Sequence, residues 1–404
     1  MFMSRKKLFE LLERIAKEKP ELCKEIEDFA KRVIASGGEQ EESDLLIEFK
    51  SAHPEIADML AGFDGETAER GEGKIFPVHK EFSMEIRQRI KLAKENDHYA
   101  NWANAIKAIP DATLPLPVVD SAFLSRAREI WKENVYGNDE ILRVLLRHCI
   151  EYSKHGKTMP ILLLGDPGIG KTLVAKTYGK ILNLPCSFLS GPSAASGRGL
   201  AGAPNLYTGA GVGAVVQAMI DHKAGNPVLC IDELDKAVES FRKDSVFQNE
   251  LLSLLDESGE TWYDNFLEIS VDASHLICVM TANEINEISR PLLDRMEIIR
   301  MEAPDKETMH NITKKMTLPE VLRVYEEDRV CFPERELDLL VDMLWDGGNH
   351  SCRPYQKAVS LLVSDAYLAA VETNSNVCIS EENVRKTAAM WSRKKSCSGI
   401  GFVA

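Results

Sequence analysis

Cysteines at metal-ligand or redox spacing are missing from this 404-residue chain: its nine cysteines are scattered, with no CxxC and no Cys/His spacing. That argues against a zinc site or a disulfide frame. Cys230 and Cys278 fall inside apolar, strand-like runs instead, as small buried residues do in a reducing compartment. Positive charge is short as well. Lysine and arginine number 49 against 63 acidic residues, giving a formal charge of −14, and the pI is near 5.3. This speaks against a dominant nucleic-acid surface, because neutralising phosphates takes clustered cations. Long apolar runs are also lacking. No segment approaches the ~20 residues of a membrane span, and charges interrupt every apolar run of the opening MFMSRKKLFELLER. The expectation is a cytoplasmic protein with no membrane partner.

What is present centres on residues 159–172, MPILLLGDPGIGKT. Ile161 to Leu164 make a short all-apolar run with the length of a strand buried on both faces, and the segment beginning LVAK reads as a helix. Between them Gly165, Asp166, Pro167, Gly168, Ile169, Gly170, Lys171 and Thr172, with Leu173 following, fit the phosphate-loop pattern G-x-x-x-x-G-K-S/T. In that loop, backbone N–H groups and a helix N-terminus meet phosphate oxygens. Lys171 is placed to reach the β- and γ-phosphates, and Thr172 to hold Mg²⁺. A nucleoside triphosphate, ATP or GTP, is the implied ligand.

The rest of the chain divides around this unit. Apolar residues Leu8, Leu11, Leu12 and Ile15, then Leu22, Ile26, Phe29 and Val33, recur at helical steps, and another helical stretch covers residues 45–60. Residues 1–63 therefore read as a helical module, its stripes packed on each other or open to an adaptor or sister subunit. Residues 64–120 read as a linker, a helix over 82–109 and the proline-rich connector DATLPLPVVD. From 121 to 304 strand-like and helical runs alternate, the pattern of a parallel sheet with helices on both faces, so the fold class is α/β. Residues 305–395 read as a small all-helical domain, and 396–404 as a tail.

Two further strand ends carry chemistry. PVLCIDELDKA is an apolar run ending in Asp232 and Glu233, about sixty residues past the phosphate loop. A carboxylate pair at the C-terminal edge of a parallel strand lies beside that loop. There Asp232 can bind the Mg²⁺ water shell and Glu233 can polarise an attacking water. HLICVMTANE ends in Thr281 and Asn283, and Asn283 can orient the same water. Within ISRPLLDRMEIIRM, Arg295 follows an apolar segment that a neighbouring subunit could present, and an arginine supplied in trans stabilises transition-state charge.

Taken together, GDPGIGKT, CIDELDKA, the TAN strand end, RPLLDRMEIIRM and VYGNDEI resemble the ATPase module of the Lon family of AAA+ proteins. The resemblance runs over residues 123–395. It implies that Tyr136 and Gly137 lie by the adenine, that Asp232 and Glu233 are the Walker B pair, and that Asn283 is the sensor-1 residue. It further implies that Arg295 is the arginine finger. Arg353, in HSCRPYQKAV, stands at the family's sensor-2 position. The loop GAPNLYTGAGVG resembles an aromatic pore loop, with Tyr207, Thr208 and Gly209 at its tip, and Trp262 and Tyr263 of GETWYDNF are candidates for the same channel. The implied cofactors are ATP and Mg²⁺. The implied partners are further copies of the chain in a ring, most simply a hexamer, and protein substrates gripped in extended form.

The family's serine-lysine protease domain does not follow the helical domain before Ala404, and its β-rich N-terminal domain is replaced by the helical front. The expectation is an ATP hydrolase that unfolds or remodels proteins without cleaving them. The tail SCSGIGFVA is either a frayed end or a docking point, through Phe402, for a separate peptidase. Two other readings stay open, a motor acting on nucleic acid and a nucleotide-gated scaffold.

Overall fold

The computed structural model describes residues 24, 29, 31, 32, 74–78, 84–93, 97–196, 198–204, 210–239, 246–325 and 329–392. The chain divides into two units, 1–73 and 74–404. In the first, Lys24, Phe29, Lys31 and Arg32 are helical. The remainder of the expected helical front and the linker lie outside the described residues, as does the tail.

In the second unit, α1 (Met84–Ala93) and α2 (Asp97–Ala108) come first, then α3 (Ser121–Asn134) and α4 (Asp139–His155). Asp120 starts α3 by accepting the Phe123 N–H at 2.7 Å, and Gly156 ends α4 in the left-handed conformation that glycine adopts without cost. The sheet begins with β1 (Ile161–Leu164), followed by α5 (Lys171–Leu182), β2 (Cys186–Ser190), α6 (Gly191–Ser196), α7 (Ala214–His222) and β3 (Val228–Asp232). After α8 (Leu234–Glu239) and α9 (Val246–Leu255), a hairpin of β4 (Trp262–Asp264) and β5 (Ile269–Val271) leads to β6 (Ile277–Ala282), α10 (Arg290–Leu293) and β7 (Glu297–Arg300).

The five main strands are all parallel in the order β2-β3-β6-β1-β7. Because side chains alternate across a strand, each apolar run feeds two cores. Leu162, Leu164, Leu229, Ile231, Cys278 and Met280 enter one, with Val216, Met219 and Leu251. Ile161, Leu163, Val228, Cys230, Ile277 and Val279 enter the other, with Tyr152, Val174 and Tyr178. Two-sided burial is why these strands read as unbroken apolar runs, and each such side chain contributes roughly 1.5–3 kcal/mol.

One expectation gains detail and one needs correction. The proline-rich stretch runs outside helix, and it is bonded to its neighbours rather than free. Thr113 N donates to Phe76 O at 2.8 Å, Leu116 N to Lys74 O at 2.8 Å, and Asn226 Oδ1 accepts the Leu114 N–H at 2.6 Å, so residues 74–78 and 109–116 are bonded onto the α/β body. The helix expected over 82–109 is two helices, α1 and α2.

The C-terminal domain has its own core, built on Met309, Leu337, Leu340, Tyr355, Val359 and Leu362. Its α11 (Lys306–Ile312) runs through a π-helical turn (Thr313–Thr317) into α12 (Leu318–Leu322). Then follow β8 (Val330–Cys331), α13 (Glu334–Asp346), α14 (Cys352–Thr373), β9 (Val377–Cys378) and α15 (Glu381–Ser392). It is helical as expected, with one short addition, the parallel pairing of β8 with β9.

Candidate nucleotide site

The strand order makes the site. β6 lies between β3 and β1, so the segments leaving the C-terminal ends of these three strands are neighbours, and ligands of open parallel sheets bind at that edge. The first segment is the glycine loop from β1 to α5. Gly168 and Gly170 hold φ of 81° and 103°, which glycine alone adopts readily. A Cβ on Gly165 would lie 2.4 Å from the Met301 carbonyl oxygen, so this position has no room for a side chain.

Lys171, the first residue of α5, turns its ammonium back into the loop. It donates to Gly165 O at 2.6 Å, Asp166 O at 2.9 Å and Asn283 Oδ1 at 2.8 Å. Burial pushes its pKa down, and Asp232, Asp235 and Asp166 oppose that. Three oxygens around one cation define a place where anionic oxygens are welcome. The sequence-derived pair Lys171 and Asn283 is thus brought together by the β1–β6 pairing.

Thr172 donates its hydroxyl to Asp232 Oδ2 at 3.3 Å. Thr281, on β6, donates to the other carboxylate oxygen, leaving Oδ2 turned toward Thr172. A hydroxyl and a carboxylate side by side are hard oxygen donors, and Mg²⁺ is commonly bound by one or two such groups with waters and phosphates completing the shell. These residues fit Mg²⁺.

Glu233 follows in the left-handed region, φ 58°, an uncommon conformation for glutamate. Its N–H donates to Thr281 Oγ1 at 3.1 Å, and its carboxylate pairs with Lys236 at 2.6 Å. Thr281 thus holds both members of the acidic pair. Asp235, on α8, is buried, and its Oδ2 accepts the N–H groups of Asn283 at 2.9 Å and Glu284 at 3.1 Å. It ties the end of β6 to the helix after β3. Sequence reading assigned neither Thr281 nor Asp235 a role, although both lie inside quoted motifs.

The lid reaches this loop. Cys352 N donates to Gly168 O at 2.9 Å, and a Cβ on Gly168 would sit 3.1 Å from Arg353 Cγ, so Arg353 lies against the phosphate loop. Tyr136 and Gly137 connect α3 to α4, with Trp131 Nε1 donating to Gly137 O at 2.9 Å, and the Lys315 ammonium from the π-helical turn stands 5.1 Å from the Tyr136 ring centre. Arg295 has other partners. It donates to Pro291 O at 2.9 Å and reaches Asp256 at 3.3 Å, in the turn after α10.

Of the loop candidates, Tyr207, Thr208 and Gly209 lie outside the described residues. The neck of their loop is defined: Ala203 N donates to Gly211 O at 3.2 Å, and buried Asp264 accepts the Gly213 N–H at 2.8 Å. Trp262 is corrected. It is 3% exposed in the core, because inward and outward positions alternate along β4, while its neighbour Tyr263 is 50% exposed.

This sheet, with a glycine loop on β1, an acidic pair on β3, a polar end on β6 and a helical lid over the loop, has the architecture of an AAA+ P-loop NTPase module. Residues 161–302 match the family model "ATPase family associated with various cellular activities (AAA)". Among curated proteins the chain is similar to Lon proteases. The chain is 28% identical over 350 residues to the Lon protease of Clostridium acetobutylicum, covering 82% of this chain and 44% of that protein. It is 35% identical over 199 residues to the Lon protease of Chlamydia pneumoniae, covering 48% of this chain and 24% of that protein. It thus spans less than half the length of these curated relatives. A solved structure of RuvB from Thermotoga maritima aligns over 63% of this chain and 70% of its own, with 17% identity and a TM-score of 0.43. No helix among the described residues is long and apolar enough to cross a membrane.

Proposed function

We propose that this chain is a ring-forming ATPase that unfolds or remodels protein substrates, with ATP bound at the interface between copies. The observation that carries the reading is the meeting of Lys171, Asn283, Thr172, Asp232 and Glu233 at one sheet edge under Arg353. Lys171 would exchange its loop oxygens for phosphate oxygens, and Thr172 and Asp232 would hold Mg²⁺, which when bound screens the phosphate charge. Glu233 would accept a proton from the water that attacks the γ-phosphorus, releasing ADP and phosphate. It must first leave Lys236, and Asn283 and Arg353 would fix the phosphate during the step. Arg295 would serve a neighbour's site, and an arginine supplied in trans is worth ~10³–10⁵ in rate. Because the lid bonds directly to Gly168, a change at the phosphates would be felt as a change in lid angle. The acidic balance favours polypeptide over nucleic acid as the cargo, and the chain has the composition of a protein kept in a reducing cytoplasm.

The test is steady-state ATPase with unfolded polypeptide and, separately, with DNA. Polypeptide should stimulate turnover in a manner lost in Tyr207→Ala, and Glu233→Gln should keep ATP binding while losing turnover. Stimulation by DNA instead, or by neither, would overturn the protein-remodelling reading.

A further inference from the structure

Two cysteines that look unrelated in the sequence meet in the lid. The β8–β9 ladder pairs Val330 with Val377 and Cys331 with Cys378, and Ile379 N donates to Cys331 O at 2.9 Å to fix that register. Ladder partners send their side chains to the same face. Strands lie about 4.8 Å apart, inside the ~4.4–6.8 Å range of Cα separations that a disulfide spans. Both cysteines are free and exposed. The pairing with Cys378 is also the main cause that pushes the Cys331 thiol up in pKa.

The sheet offers a comparison. Cys186 and Cys230 also share a hydrogen bond. Their register is staggered, Cys186 facing Val228 and Cys230 facing Phe188, and Cys230 is 2% exposed in the core, out of reach of a soluble oxidant. Reactivity follows access, so the exposed, in-register pair is the one that reacts.

We propose that Cys331 and Cys378 are an oxidation site, a dithiol that a low-molecular-weight disulfide of the glutathione class converts to an intrachain disulfide. The Cys378 thiolate attacks one sulfur of the small disulfide, forming a mixed disulfide and expelling one small thiolate. Cys331 then gives its proton to solvent and attacks the Cys378 sulfur, expelling the second small thiolate. Two protein thiols are oxidised and one small disulfide is reduced to two thiols, so electrons and protons balance. The link closes a loop containing α13 and α14 and braces the end of α14 remote from Arg353. That helix has 22 residues and is about 33 Å long, with Arg353 in its first turn and β9 following its C-terminal end. The consequence is a stiffer lid rather than altered chemistry, and the inference holds whether or not the proposed ATPase cycle does.

The experiment incubates the full chain with oxidised glutathione, quenches with acid, and digests without reductant. The expected result is a single linked peptide pair joining residues 331 and 378, loss of two titratable thiols, and a melting transition raised on the order of 5 °C. All three should be reversed by dithiothreitol and absent in both Cys331→Ser and Cys378→Ser. An unchanged thiol count, a stable glutathione adduct on Cys331 or Cys378, or a link between two copies would overturn the proposal.

Discussion

The edge of the sheet and the α11–α13 face of the lid use the same kinds of residue to opposite ends. At the sheet edge, Lys171 and Asp235 are buried, and each is held by two or three partners from other elements. On the lid, Lys306, His310 and Lys314 run along one helical strip opposite Glu334, Asp338, Asp342 and Asp346. Lys306 reaches Asp342 at 2.8 Å, His310 reaches Asp338 at 3.1 Å and Asp342 at 3.2 Å, and Lys314 pairs with Glu334. Most of these side chains are well exposed to solvent. Burial decides the difference. A charge out of water must be over-determined by its partners, whereas one in water gains about 0–1 kcal/mol from a pair.

The largest effect should come from removing the buried cation. Lys171→Ala should weaken ATP binding by roughly 10²-fold or more, since hydrogen bonds to charged groups are worth about 1.5–3 kcal/mol each and 1.4 kcal/mol is tenfold. Titration with a fluorescent ATP analogue checks this. Binding within a few-fold of the unmodified chain would remove Lys171 from the site. Next in size is Asp235→Ala, which strands the Asn283 and Glu284 N–H groups in a buried place. It should cost about 2–3 kcal/mol in denaturant unfolding and lower turnover about tenfold, with ATP binding held within a few-fold. Asp235→Asn, which keeps one acceptor, should recover part of both.

How far the sequence foretells this contrast depends on how far apart the contributing residues lie. The phosphate loop and the acidic pair are written in consecutive residues, and each was legible with its strand because apolar runs of four or five residues stop at Leu164 and Asp232. Asn283 was legible as a strand end, but its bond to Lys171 exists only because β6 lies beside β1. Thr281 and Asp235 gain their roles from the β3–β6 pairing, which no local pattern encodes. Trp262 was open to reading, since a period of two along Trp262, Tyr263 and Asp264 already puts the two aromatics on opposite faces. The bonding of the proline-rich stretch was hidden for a related reason. Its composition fits a linker, while its backbone bonds to residues 74–78 and to Asn226 are tertiary.

A mixed case sharpens the comparison, because one cluster joins the buried and the exposed kind. His148 is fully buried on α4 and meets Thr158 Oγ1 at 2.7 Å and Glu297 Oε2 at 2.7 Å, while Arg147 pairs with the same carboxylate from the surface. Burial draws the Glu297 pKa upward, but hydrogen bonds from Arg147 and His148 outweigh it and the net direction is down. Removing that carboxylate with Glu297→Ala should leave the buried imidazole with one partner fewer and cost about 1–3 kcal/mol, read by urea unfolding. A cost within 0.5 kcal/mol would mean that water replaces the carboxylate and that the cluster behaves like the lid.

The smallest effect belongs to the lid strip, and pH isolates it. Asp342 is held below the ordinary carboxylate range chiefly by its hydrogen bond to Lys306, against a small burial penalty and with help from His310. A depressed native pKa means that the ionised form is favoured on folding. The contribution is therefore present above the unfolded value near 3.9 and is lost as pH falls through the lower native value. With the Asp342 side chain 48% exposed, solvent screening keeps it under about 0.5 kcal/mol. Asp342→Asn should thus lower the lid's melting temperature by no more than about 2 °C at pH 7 and by progressively less as pH falls below about 3.9, and salt should shrink the pH 7 difference. A salt-insensitive loss several times larger would mean that the strip is a buried network in the working assembly, covered by another surface, and the contrast drawn from a single copy would then dissolve.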